Sequence, residues 1–388
     1  MATKKKETFD FNAQMEETAK LQQEMLDEIV DFYGKFDFKK STEDMLKFQE
    51  KIVDGVKNIM SFSKEDVAMD QLDKYVVLEI GKMKLYHYKP LVPSKNLSST
   101  PTLVTYALVN RQYMLDLQPD RSVFKNFLEN GMDLYAIDWG YPTGEDMYMT
   151  LDDYINWYMN ECVEYIKKES GAAKINMLGI CQGATFTTIY SALYPKNVNA
   201  VIALVVPIDF SKNDGLLFRW GKDLNIDSLV DAYGVVPGDV MNFSYLILKP
   251  LTLTIHKYVA MVDKMDNPAY MQNFLRMEKW NFDSPGQAGE ALRQFIKDLY
   301  QDNKLIKGEL VIGDKKVNLK KITQPLLVVV GENDHLVPNS SSEPLMDAVG
   351  SKDKEYHCFK TGHIGIFTSS KSRTEIMPTI VDWIKAHS

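Results

Sequence analysis

The sequence predicts an α/β protein, a mostly parallel sheet with helices on both faces and a helical cap inserted before one of the last strands. Three observations carry that prediction. Short apolar runs alternate with helical stretches over 71–209, the pattern of strands joined by crossover helices. The pentapeptide Gly179-Ile180-Cys181-Gln182-Gly183 lies between an apolar strand signal and a helix signal. After the 210–305 stretch, where helical spacing dominates, Pro325–Gly331 (PLLVVVG) resumes the buried-strand pattern.

The elements follow in chain order. Residues 1–70 read as a charged helical arm, with apolar residues at three and four spacing in Gln14–Tyr33 and Ser41–Met60. Such an arm packs on the body or meets a partner. Tyr75–Glu79 and Lys84–Tyr88 flank Gly81 as a hairpin. Strands are expected at Thr102–Ala107, Met132–Asp138, Lys174–Leu178 and Ala200–Val206, with helices at Asp120–Asn130, Leu151–Glu169 and Ala184–Tyr194. The cap, 210–305, carries helical spacing at Leu216–Trp220, Tyr245–Leu253, Tyr270–Trp280 and Ala288–Tyr300. The core resumes over 306–388 with a small hairpin around Gly313-Asp314, the strands Pro325–Gly331 and Tyr356–Phe359, and a last helix over Arg373–His387.

Composition narrows the function. The 388 residues, 45% of them hydrophobic, can bury a large core. A formal net charge of -8, with clustered lysines only at Lys4-Lys5-Lys6, argues against nucleic-acid binding. Three widely spaced cysteines, Cys162, Cys181 and Cys358, suggest neither a disulfide framework nor a zinc site and fit a reducing compartment. The first thirty residues lack a signal-type apolar core, and no run approaches the length of a membrane span. A cytoplasmic protein is expected. No phosphate loop, dinucleotide motif or cluster of metal ligands is evident, so neither metal nor cofactor is expected.

The pentapeptide has the form of a nucleophile elbow with cysteine in place of serine, which points to acyl transfer on an α/β-hydrolase fold. A side chain two positions to either side of the nucleophile would strike the neighbouring chain, hence Gly179 and Gly183. In this fold the nucleophile, acid and histidine follow in that chain order at strand ends. PLLVVVG leads into Glu332-Asn333-Asp334-His335, making Asp334 the acid candidate. Phe359 leads into Lys360-Thr361-Gly362-His363, making His363 the base candidate, with His335 its one serious competitor. A free thiol is only a few per cent ionised at neutral pH, so an imidazole in reach must take its proton. Asp334 would orient that imidazole and stabilise its charged form. The oxyanion would need two backbone donors, Gln182 and the Leu108-Val109-Asn110 turn, with Val109 the preferred residue. Cys162, in a helix, and Cys358, in a strand, lack such a setting.

From about residue 70 onward the chain resembles the catalytic subunits of class III polyhydroxyalkanoate synthases. The likeness runs through YALVNRQYMLDLQPDRS (Tyr106–Ser122), LYAIDWGYP (Leu134–Pro142), Thr150–Tyr158, LGICQG (Leu178–Gly183), the run Asn273–Gln301, DHLVP (Asp334–Pro338) and GHIGI (Gly362–Ile366). It implies Cys181, Asp334 and His363 as the triad, and a substrate of the (R)-3-hydroxyacyl-CoA class, such as 3-hydroxybutyryl-CoA, polymerised to polyester with CoA release. It also implies a homodimer, a second non-catalytic synthase subunit and the polyester granule surface as partners. Thr361 and Ala184 stand where the family usually has glycine, and the arm is longer than usual. On the residues alone, a cysteine esterase or thioesterase and a non-enzymatic granule-associated protein stay open.

Overall fold

The structure, a computed structural model, describes residues 38–388 except 213, together with residues 20, 23 and 27. Apart from those last three, which are helical, the Gln14–Tyr33 helix lies outside the described residues. The chain divides into two compact units, Phe62–Met261 with Ala269–Ser388, and Met1–Ser61 with Val262–Pro268. In the smaller unit residues 38–61 form the helix Phe38–Ser61, which covers the expected Ser41–Met60. Asn58 Nδ2 donates from that helix to the carbonyl of Asp266 at 3.2 Å, and Lys51 donates to that of Asp263.

The larger unit is built on eight strands: β1 (Lys74–Ile80), β2 (Met83–Tyr88), β3 (Thr102–Thr105), β4 (Leu134–Asp138), β5 (Ile175–Ile180), β6 (Val198–Leu204), β7 (Leu326–Gly331) and β8 (Lys354–Phe359). Their spatial order is β1-β2-β4-β3-β5-β6-β7-β8, with β2 antiparallel to both neighbours and all pairs from β4 to β8 parallel. Register pairs such as Leu178 with Ile202 and Leu204 with Val329 put like positions side by side. Because strand side chains alternate faces, Met177, Val201, Ala203, Val328 and Val330 enter one core. Leu178, Ile180, Ile202, Leu204, Leu327 and Val329 enter the other. Helices Asn160–Ser170 and Gln182–Leu193 cover the first face, and Val123–Glu129 and Met377–Ala386 the second. Burial on both faces explains why the central strands read as unbroken apolar runs.

Between β6 and β7 the chain leaves this sheet. Helices there span Leu216–Asp223, Ile226–Tyr233, Gly238–Leu246 and Pro268–Phe282. The expected helix over Tyr245–Leu253 is instead broken after Leu246 and resumes as a wider π-type turn at Leu251–His256, following Pro250. A strand pair that the spacing hides also occurs: Val235–Val236 runs antiparallel to Gln287–Ala288. Two residues per strand are too few to show a period of two. The hairpin around Gly313 is tighter than expected, pairing Val311–Ile312 with Lys315–Lys316.

Candidate active site

β5 is buried at every residue and ends at Ile180, and Gln182 opens the helix Gln182–Leu193. Cys181 joins them at φ 53° and ψ -124°, a conformation costly for any residue but glycine. Two features hold it there. Its N–H donates to Leu204 O at 2.9 Å, tying the turn to β6. The two glycines also let backbone approach closely: a Cβ on Gly179 would lie 2.3 Å from Ala184 Cα, and one on Gly183 2.3 Å from Thr105 O. Val205, just after β6, is a second strained residue at φ 46°, and its N–H donates to Val329 O at 2.8 Å.

Asp334 follows β7, and His363 lies in the loop after β8. His363 Nδ1 is 2.6 Å from Asp334 Oδ2, and both side chains are buried. The other carboxylate oxygen, Oδ1, accepts from the N–H groups of Leu336 and Val337, each at 2.9 Å. The two loops are stitched together by Asn333 N–H donating to Thr361 O at 3.0 Å. Thr361 folds over Gly365, where a Cβ would lie 2.1 Å from its Oγ1, so the departure from glycine at 361 is accommodated locally.

Burial acts to push the His363 pKa down, but the charge of Asp334, the charge of Cys181 and contacts with both side chains raise it to about 10. With Nδ1 bound to Asp334, Nε2 is the nitrogen left for the thiol. His335 behaves oppositely: burial, then Lys249, holds it below its usual value. The 2.6 Å contact pairs Asp334 with His363, not with the adjacent His335. The arrangement is suited to a thiolate–imidazolium pair, and hence to acyl transfer through sulfur.

The two expected oxyanion positions are linked through the Gln182 side chain. Gln182 is the first residue of its helix, so its N–H is one of those no helical turn can satisfy. Its side chain reaches across, with Oε1 accepting from Leu108 N–H at 2.9 Å. The N–H of the next residue, Val109, has no partner among the described residues. Sequence reasoning missed three tyrosines near the sulfur. Tyr106, Tyr245 and Tyr300 all have pKa values far above the usual phenol range, through burial first and with the Cys181 charge adding. They are neutral O–H groups. Tyr106 and Tyr300 fall within runs that carried the family resemblance, but isolated aromatic residues give no sign of facing a thiol.

The family described as the alpha/beta hydrolase fold matches residues 114–370. The poly(3-hydroxyalkanoate) polymerase subunit PhaC of Allochromatium vinosum is 45% identical over 86% of this chain and 94% of its own length. The subunit of that name from Synechocystis is 42% identical over 92% of this chain and 96% of its own. A solved Sulfolobus solfataricus structure, reported as a candidate lipase, superposes with a TM-score of 0.52 at 15% identity, covering 82% of this chain and all of that one. The last likeness concerns the fold alone.

Proposed function

The chain belongs to the poly(3-hydroxyalkanoate) polymerase family, acyltransferases on the α/β-hydrolase fold, and from that premise we propose that it polymerises (R)-3-hydroxyacyl-CoA through a thioester on Cys181. The observation that carries the proposal is the buried His363–Asp334 pair in contact with the Cys181 elbow. His363 takes the thiol proton, and the Cys181 thiolate attacks the carbonyl of the acyl-CoA. The resulting oxyanion is held by the N–H groups of Gln182 and Val109. Collapse breaks the carbonyl–sulfur bond to CoA, which leaves as a thiol on receiving the proton. One thioester is exchanged for another, so the acyl group stays activated. The hydroxyl of a second monomer or chain, deprotonated by His363, then attacks the thioester carbonyl; the carbonyl–sulfur bond to Cys181 breaks as the ester forms, and the thiol is regenerated on receiving that proton.

Water competes at that second step. In this reading the 210–305 cap excludes it; the cap is anchored by Phe210, Phe218, Phe295 and Tyr300, which pack on one another at centroid distances of 4.7–6.1 Å within the core on one face of the sheet. A short-chain monomer, 3-hydroxybutyryl-CoA, is the preferred substrate in this reading. Partners are a second copy, a non-catalytic synthase subunit and the surface of a cytoplasmic polyester granule. Exposed apolar side chains at Phe243, Leu251, Ile255 and Val259 offer surface for such contacts. Among the described residues, no helix is long and apolar enough to cross a membrane.

The test is to incubate the purified chain with 3-hydroxybutyryl-CoA, with and without a candidate partner subunit, and to follow CoA release and polymer together. Polymer with matching CoA is the expected result. Free 3-hydroxybutyrate without polymer would make the chain a thioesterase instead.

A further inference from the structure

The loop that carries Val109 is fastened from two directions. β3 ends at Thr105, so no sheet ladder holds the residues beyond it. From the elbow, Gln182 Oε1 accepts from Leu108 N–H. From the cap, Gln287 Nε2 donates to Leu108 O at 3.0 Å, and Trp280 Nε1 donates to Arg111 O at 2.8 Å. Asn110 Nδ2 donates to Ser284 Oγ at 2.7 Å, and that hydroxyl donates onward to Asn242 Oδ1 at 2.7 Å. Asn242 lies on the helix Gly238–Leu246, whose first residue rests on the same segment: a Cβ on Gly238 would be 1.9 Å from Ser284 O. Asn110 itself is left-handed, at φ 59°, so the chain turns sharply directly after Val109.

We propose that Gln287, Ser284 and Asn110 are positioning residues that aim the Val109 N–H, and that the oxyanion site is complete only while the 280–287 segment of the cap is docked. The proposal rests on the assignment of Val109 as an oxyanion donor. Its physical core is the planarity of the peptide unit. Leu108 C=O and Val109 N–H belong to one plane and point in opposite directions across it. Gln287, 2% exposed, holds the carbonyl and thereby sets the direction of the N–H. Asn110 and Ser284 fix the far side of the same residue. A donor must lie within hydrogen-bond distance of the developing oxyanion, and a displacement near 1 Å forfeits much of its effect. Undocking of 280–287 releases the Leu108 carbonyl and lets that plane rotate. A site opened to admit the next acyl-CoA is then a poor catalyst of its own intermediate's hydrolysis.

The experiment compares two reactions of Cys181 in wild type, Gln287→Leu, Ser284→Ala and Ser284→Thr. The first is acylation, read as CoA release from 3-hydroxybutyryl-CoA and as the p-nitrophenolate burst from a short p-nitrophenyl ester. Thiolate attack there creates an oxyanion before the leaving group departs. The second is alkylation by iodoacetamide, in which sulfur displaces iodide at a saturated carbon and no oxyanion forms. Gln287→Leu should slow acylation by about tenfold to a hundredfold, part of the loss expected on deleting a donor, with alkylation close to wild type. Ser284→Ala should slow acylation less, and Ser284→Thr, which keeps the hydroxyl, should restore it. Acylation at the wild-type rate in both Gln287→Leu and Ser284→Ala would overturn the proposal, as would equal slowing of acylation and alkylation. If Gln287→Leu does not fold, the Ser284 pair decides. Should the wild type release no CoA yet retain the ester burst, the polymerase reading fails and the burst still decides the positioning role.

Discussion

Cys181, Asp334 and His363 stand at the ends of β5, β7 and β8, whereas Val109 stands on a loop beyond the end of β3, and the two groups are held by different means. Around Cys181 and Asp334 main-chain groups do much of the fixing, and the Asp334 carboxylate in turn holds His363. Leu204 O takes the Cys181 N–H, Leu336 and Val337 N–H groups hold Asp334, and Thr361 O holds Asn333. The loop at 108–111 depends instead on the side chains of Gln182, Gln287, Ser284, Asn110 and Trp280. A main-chain bond survives most substitutions, but a side-chain bond is lost with its residue. Apart from the three reacting side chains themselves, the first group is therefore resistant to change except where a Cβ cannot fit, while the second can be tuned one residue at a time.

The largest effect that tests this contrast lies at Cys181, the proposed nucleophile. Cys181→Ala should reduce CoA release from 3-hydroxybutyryl-CoA by at least about a thousandfold, as removal of a covalent nucleophile does elsewhere, measured with a thiol reagent. Turnover near wild type in that variant would remove the covalent assignment. Asp334→Asn should follow, at about a hundredfold to a thousandfold in kcat, because the imidazole loses both its orienting partner and the charge that stabilises its protonated form.

That variant also carries a pH signature. The folded-state pKa of His363 is raised to about 10, above the unfolded value near 6.5. The stability it contributes is complete below that unfolded value and is lost as pH rises through the folded one. The difference in Tm between wild type and Asp334→Asn should therefore be widest below about pH 6.5 and narrow as the pH is raised toward 10. A difference that widens with rising pH would contradict the coupling.

Smaller effects separate the backbone-held half from the side-chain-held half by stability. Gly183→Ala would force a Cβ to 2.3 Å from Thr105 O, a collision between two main chains that neither can avoid. A loss of about 3 kcal/mol or more is expected, seen as a lower denaturant midpoint. Ser284→Ala removes one hydroxyl from a half-buried relay and should cost about 1 kcal/mol. Equal losses from the two substitutions would erase the distinction drawn here.

Much of the backbone-held half was legible because each part has a local signature. The strand before the elbow, the paired glycines and the Asp and His after later strands all lie within a few residues of the feature that betrays them. His335 could not be excluded from spacing alone, since it adjoins Asp334; the 2.6 Å contact with His363 decides the pairing. The side-chain-held half was hidden for a physical reason. Asn110 and Ser284 are 174 residues apart, Leu108 and Gln287 179 apart, and a polar residue in a loop has no periodicity to announce a distant partner. Both ends of these contacts do fall within runs that carried the resemblance, Tyr106–Ser122 and Asn273–Gln301. The break after Leu246 was missed although Pro250 stands near it, because apolar spacing continues across the gap.

Val205 shows where a simple stabilising design would fail. Its positive φ would single it out for replacement by glycine, which adopts that conformation freely. Relief of the strain is worth about 1–3 kcal/mol. The side chain, however, is 1% exposed and packs in the core beside Leu204 and Val329. Removing it forfeits about 2 kcal/mol of burial, and the freedom glycine gains in the unfolded chain costs about 0.5–1 kcal/mol more. The balance runs from near zero to about 2 kcal/mol against the substitution, so Val205→Gly should lower Tm by up to a few degrees and not raise it usefully. The strand that supports the elbow thus has its unfavourable backbone geometry locked in by the side chain that suffers it, and a thermostable variant of this chain is better sought at other positions.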